Sequence, residues 1–251
     1  QEDPKTDFHG IVANMAKIPR SQAKTINLGL FYGMGKMKLQ KELDLTPQQA
    51  RDLFYAYHSK VPFIKELSSG LIEFAQEHEL IYTLGDRFCR FNRWEPYEKQ
   101  WNADIGRFEV EVKVEEKKYN EEKEEWQTIT SYKYEPVPIL TKEEAKLRYK
   151  EKYPEDVEYN NFNGHYRLAF TYRALNRLVQ GSAADMTKQA MVNLYKEGIV
   201  PHIQIHDELC VSIPNQETAF KVKKIMEKAI RLKIPNKVEY ASGDNWGDIK
   251  K

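Results

Sequence analysis

His202-Ile203-Gln204-Ile205-His206-Asp207-Glu208-Leu209-Cys210-Val211-Ser212-Ile213 reads as two strands and the turn between them. The alternation of apolar and polar residues on either side has period two, which marks half-buried strands. His206-Asp207-Glu208 interrupts that alternation, so two adjacent carboxylates beside an imidazole sit at or near the tip of a hairpin. A rigid sheet would present a metal ligand at such a place. An ordinary polar turn fits the same residues, because acidic pairs are common in turns and one Asp does not define a metal site.

Upstream, residues 166–198 carry Leu175, Leu178, Val179, Ala183, Met186, Ala190, Met191 and Leu194 as the apolar stripe of a long helix that stops at Gly198. Downstream, a helix is expected over about 217–232 and a short strand near Val238-Glu239-Tyr240. Toward the N-terminus, residues 7–18 predict a short helix, and a longer one runs from Arg20 to about Tyr32, ended by Gly33 and Gly35. Thr46-Pro47 is a helix start, a hydroxyl cap followed by proline, leading to about Ser59, and another helix fills 63–78. Ile81–Leu84, Gly85-Asp86 and Arg87–Phe91 read as a tight hairpin.

From about Trp94 to His165 the character changes. Phe108, Val110, Val112 and Val114 alternate with charges, Trp126–Tyr134 returns as a second strand, and Thr141 caps a charged helix over 142–152. This reads as an inserted lobe whose acidic tip is a solvated turn. Helices and antiparallel strands that do not alternate as strand-helix-strand indicate an α+β fold.

The 251 residues suffice for one large domain or two small ones. Hydrophobic residues make up 41% and aromatics 12%, as in an ordered globular protein. Net charge is only +1, from 39 basic and 38 acidic residues, so the total does not advertise a polyanion partner. Charge is nevertheless segregated: 109–125 is heavily acidic, whereas 17–41 holds Lys17, Arg20, Lys24, Lys36, Lys38 and Lys41 with no Asp or Glu. Cys89 and Cys210 lack metal or disulfide spacing and read as reduced core thiols of an intracellular protein. No run of 18 apolar residues occurs, so no membrane partner is expected. The start, Gln1-Glu2-Asp3-Pro4, lacks a Met and leads into a structured-looking stretch, which suggests sequence upstream.

Arg20, Lys24, Leu28 and Tyr32 stand four apart, so successive members turn by only about 40° on a helix and form one stripe. Two cations one turn apart could grip adjoining phosphates, with an aromatic face for a base. A solvated basic helix end with Tyr32 in the core fits the spacing equally. Asn176 and Gln180, also one turn apart, could reach a groove edge. The small residues of Gln180-Gly181-Ser182-Ala183-Ala184-Asp185 permit close backbone approach, which tight helix packing explains as well.

In combination these stretches become specific. Arg20-Ser21-Gln22-Ala23-Lys24-Thr25-Ile26-Asn27-Leu28-Gly29-Leu30-Phe31-Tyr32-Gly33 resembles the fingers-helix motif of family A DNA polymerases, the bacterial DNA polymerase I family. Gln180–Asp185 and Gln204–Leu209 resemble its palm motifs, in the right order. Ser242-Gly243-Asp244-Asn245-Trp246 is similar to the terminal segment, and Asp7-Phe8-His9 to a short motif before the fingers helix. The resemblance covers about 1–92 and 166–251, and Ala174–Gln180 with the charged insertion is most like bacteriophage versions.

The resemblance implies a helical fingers subdomain over 1–93, a charged insertion over 94–165, and the C-terminal part of a palm with an antiparallel sheet over 166–251. It implies that Asp207 binds catalytic Mg2+ with Glu208 beside it. Arg20, Lys24 and His9 would hold the incoming dNTP, with Leu28 and Tyr32 near the nascent base pair. Asn176, Gln180, Gln204, His206 and Arg173 would contact the DNA primer-template. Leu28 occupies a position usually Phe or Tyr, which leaves sugar selectivity open, and Tyr172 stands where bacterial relatives often have Arg. The family's Asp-Tyr-Ser-x-x-Glu-Leu-Arg motif, with the second metal-binding Asp, does not occur in these residues. One carboxylate cannot hold two metals. The expectation is therefore a C-terminal fragment or subunit, inactive alone, completed by an N-terminal polymerase segment in the cytoplasm of a bacterial host. The rival is a DNA-binding module of the same fold without chemistry. A His-Asp phosphohydrolase fits poorly, since that class needs several further His and Asp on helices and only six His exist.

Overall fold

The computed structural model describes residues 8–16, 18–102, 104–120 and 125–249. Five helices open the chain: α1 (Phe8–Ala16), α2 (Arg20–Phe31), α3 (Lys36–Leu43), α4 (Pro47–Lys60) and α5 (Pro62–His78). β1 (Leu80–Tyr82) and β2 (Phe88–Arg90) then form a two-stranded sheet. Next come β3 (Trp94–Pro96), β4 (Gln100–Asn102), β5 (Arg107–Asn120), β6 (Glu125–Pro136), α6 (Lys142–Lys152), α7 (Phe162–His165) and β7 (Tyr166–Leu168). α8 (Ala174–Lys196), β8 (Ile203–Ile205), β9 (Glu208–Cys210) and α9 (Gln216–Glu227) complete the order. Helices and separate antiparallel sheets make this an α+β fold.

The chain divides into two compact units. One takes in the described residues up to Leu71, Ile81–Cys89, and those from Tyr172 onward; the other comprises Ile72–Leu80 and Arg90–Thr171.

In the first unit, α2 buries Ala23, Ile26, Asn27 and Leu30, the i, i+3, i+4, i+7 face of a helix. These pack with Val12, Leu39, Leu53, Tyr57, Val61 and Ile64, and with Leu175 contributed by α8. Each such Leu or Ile, fully buried, stabilises the unit by about 1.5–3 kcal/mol. Thr46 caps α4 as its sequence predicts: its hydroxyl accepts from the Gln49 amide at 3.3 Å while Gln49 Oε1 accepts from the Thr46 amide at 2.9 Å. Gly198, at φ +73°, follows the end of α8.

In the second unit, β5 and β6 pair from Glu109↔Pro136 to Asn120↔Glu125, a long ribbon to which β4 adds a third strand. The acidic tip expected as a turn falls partly on 121–124, outside the described residues. Thr141 caps α6 through a second reciprocal box with Glu144. Trp94, Leu140, Tyr149, Phe162 and Leu168 are its main large buried side chains. Tyr149 donates to Asp156 at 2.5 Å, and burial together with that carboxylate pushes its hydroxyl up to about 12.

The structure differs from the sequence expectation at four places. The long helix does not begin at 166: Tyr166–Leu168 is a strand, with Trp94↔Leu168 and Pro96↔Tyr166 in register, and Phe170 takes φ +65°, which a helix cannot contain. A 3₁₀ turn over Thr171–Arg173 then leads into α8. Val238-Glu239-Tyr240 forms no strand, because the Val238 amide donates to Glu227 Oε1 at 3.1 Å instead of to a ladder. α9 correspondingly stops at Glu227 rather than about 232. Glu208 lies in β9, not in the turn, and Val211–Ile213 lie outside it. Among the described residues, no helix is long and apolar enough to cross a membrane.

Candidate functional site

The exposed side of α2 carries the basic stripe. Arg20 and Lys24 are exposed, and Leu28 is 45% exposed, an apolar group held out beside cations. The helix has no side-chain cap and no acidic residue in its first turn. The helix dipole and two exposed cations make this end suited to an anion. Tyr32 closes the helix, set edge-on to Phe31 with ring centroids 5.1 Å apart. It is not a core residue: it is half-buried, and its hydroxyl accepts from Gln180 Nε2 at 3.0 Å. The end of the stripe thus meets α8, where Asn176 and Gln180 are both exposed.

His9, at the start of α1, comes to the same helix. Its Nδ1 lies 3.0 Å from the Asn27 side-chain amide nitrogen, and Tyr57 Oη donates to Asn27 Oδ1 at 2.8 Å. Asn27 and Tyr57 were not marked by the sequence reading. The available signal was a polar residue on a helical face otherwise made of Ala23, Ile26 and Leu30.

The β8–β9 register, Ile205 opposite Glu208, leaves His206-Asp207 as a two-residue turn. Tight hairpin turns demand positive φ, and His206 adopts +52° although it is not glycine. Gln204 Nε2 donates to the His206 carbonyl at 3.1 Å and braces the turn. Asp207, Glu208, Gln204 and His206 are all exposed. Among the described residues, no cluster of three or more His, Cys, Asp or Glu is placed to hold a metal ion. Arg173 is exposed, its Nε donating to Tyr172 Oη at 3.1 Å. The structure therefore joins His9 to α2 and Tyr32 to Gln180 directly.

Asp185, also unmarked beforehand, ties β1–β2 to α8. It accepts from the Gly85 amide at 3.2 Å and from Arg87 Nε, while Ser182 Oγ accepts from the Leu84 amide at 3.1 Å. Burial alone would push the Asp185 carboxyl up; hydrogen bonds from Thr83, Arg87 and Gly85 outweigh it and hold the carboxyl below the usual range. Gly85 and Gly181 are required by this approach, since a Cβ would come within 2.8 Å of Asp185 Cγ and 2.7 Å of Thr83 Cγ2 respectively.

The chain is 31% identical over 281 aligned residues to a DNA-directed DNA polymerase of Pseudomonas phage M6, covering 98% of this chain and 32% of that protein. It is 25% identical over 251 residues to the DNA polymerase I of Caldicellulosiruptor bescii, covering 95% and 22% respectively. The chain thus spans about a third or less of these relatives. Its fold is similar, with a TM-score of 0.54 and 18% identity, to the polymerase domain of Pol1 from M. smegmatis, solved in complex with DNA primer-template and dNTP; the match covers 91% of this chain and 32% of that one. The family model for DNA polymerase family A matches residues 6–248, nearly the whole sequence, and the chain belongs to that family.

Proposed function

We propose that this chain carries the fingers and the C-terminal part of the palm of a template-directed DNA polymerase, joining dNTPs to a primer 3′-hydroxyl. The division follows 1–93 for the fingers, 94–165 for the insertion and 166–251 for the palm. The observation that carries this reading is the Tyr32–Gln180 hydrogen bond, which couples the basic stripe of α2 to the exposed amides of α8. A solvated helix end with a core tyrosine would not have that coupling.

Arg20, Lys24 and His9 hold the triphosphate, charge-assisted donors against a polyanion. Leu28 and Tyr32 flank the nascent base pair. Asn176, Gln180, Gln204, His206 and Arg173 hold the primer-template. Asp207, with Glu208 beside it, serves the reacting end of the primer. An exposed carboxylate on a braced hairpin is the hard oxygen donor that Mg2+ takes, with phosphates and water completing its shell. Mg2+ held by Asp207 together with a second carboxylate would supply positive charge for the attacking primer hydroxyl and the leaving pyrophosphate. The second carboxylate comes from polymerase sequence outside these residues, and the chain alone does not polymerise. The reaction belongs in the cytoplasm.

Complementation tests this reading. Adding a polymerase segment that carries the Asp-Tyr-Ser-type motif is expected to restore Mg2+-dependent primer extension. Duplex binding that weakens steeply with salt, with no extension under any complementation, would instead indicate a binding module without chemistry.

A further inference from the structure

His9 is anchored through two buried residues in series. Tyr57 and Asn27 are 2% and 4% exposed. Tyr57 Oη donates to Asn27 Oδ1 at 2.8 Å, which fixes the amide so that its nitrogen faces His9 Nδ1 at 3.0 Å. Burial pushes the Tyr57 hydroxyl up to about 12, so it keeps its proton, and its donor role, throughout the neutral range. A ring nitrogen that accepts carries no proton, so the neutral imidazole bears its hydrogen on Nε2. Asn27, on the buried face of α2, lies three residues after the exposed Lys24, about 60° around the helix. With Nδ1 engaged by Asn27, His9 Nε2–H is the ring donor left for a ligand.

The geometry points to Tyr57 and Asn27 as positioning residues that lock His9 in its Nε2–H tautomer to donate to a triphosphate oxygen of the incoming nucleotide. This rests on the nucleotide-binding reading of Arg20, Lys24 and His9. The relay sets the direction of a hydrogen bond rather than adding charge, so its loss weakens triphosphate binding and leaves the α2 core packed.

Two readouts on the 251-residue chain test it. In ¹⁵N-histidine NMR, wild-type His9 should show an unprotonated Nδ1 and a protonated Nε2. Asn27→Asp, whose carboxylate can only accept, should move the proton to Nδ1. In titrations with Mg-dATP, Tyr57→Phe, which keeps the buried ring, should weaken binding about fivefold. It should add nothing further in a His9→Ala background, with thermal unfolding confirming that each variant is folded. No dATP binding by the wild type would defeat the nucleotide reading itself. Wild-type binding with an unchanged tautomer in Asn27→Asp, or with Tyr57→Phe losses that add to those of His9→Ala, would overturn the relay alone.

Discussion

His206 holds φ at +52° in a turn that glycine would occupy without steric cost. Non-glycine residues in that region cost about 1 kcal/mol or more and persist where something else requires them. His206→Gly should therefore leave the urea midpoint at or above the wild-type value, while a complemented polymerase loses about tenfold in primer extension, the worth of one good hydrogen bond. A variant that loses stability instead would mean the imidazole is structural. Asp185 behaves oppositely. Its carboxyl sits below the ordinary value, so its contribution is full above about pH 4 and disappears as pH falls through the lower native value. Asp185→Asn should lower stability at neutral pH by about 1–3 kcal/mol and flatten acid unfolding in that window, as urea titrations at several pH values would reveal. Asp207, Arg20 and Lys24 stood out only through the motifs they sit in, since their spacing alone fits a polar turn and a solvated basic helix end equally. Asp185 and Asn27 stood within quoted motifs yet could not be picked out, because their partners, Arg87 and Tyr57, lie 98 and 30 residues away.

Helix starts were readable because capping is local: Thr46 with Gln49 and Thr141 with Glu144 act within one turn. The break before α8 was not, because the pairing of Tyr166–Leu168 with Trp94–Pro96 is set by residues some 70 positions away. α3 went unanticipated, a short helix with only Leu39 buried. Packing between β1–β2 and α8 is likewise non-local, and it explains the run of small residues better than helix propensity does. Gly181→Ala forces its Cβ to within 2.7 Å of Thr83 Cγ2 and should destabilise by about 1–3 kcal/mol. Gly70→Ala, in α5 with nothing within 4 Å of the added carbon, should be neutral or stabilise by up to about 1 kcal/mol. Chemical denaturation of the pair separates close approach from propensity; equal effects would remove the packing argument.

At the scale of the molecule, a net charge of +1 hides a basic stripe on α2, and the overall composition says nothing of a nucleic-acid partner. The order of motifs said more than any one of them, since the hairpin by itself reads equally as a polar turn. The α+β class was legible from the period of each segment, whereas the division into two units, with Ile81–Cys89 returning to the first, depends on contacts that no local pattern encodes. The central claim concerns Asp207, one carboxylate on a two-residue turn. Its most direct test is the single-turnover extension rate of Asp207→Asn in the complemented polymerase, at saturating dNTP and with primer-template affinity measured alongside. The account predicts a fall of about a thousandfold or more, equivalent to about 4 kcal/mol of transition-state stabilisation, with affinity for DNA retained. Extension by Asp207→Asn at the wild-type rate would contradict it.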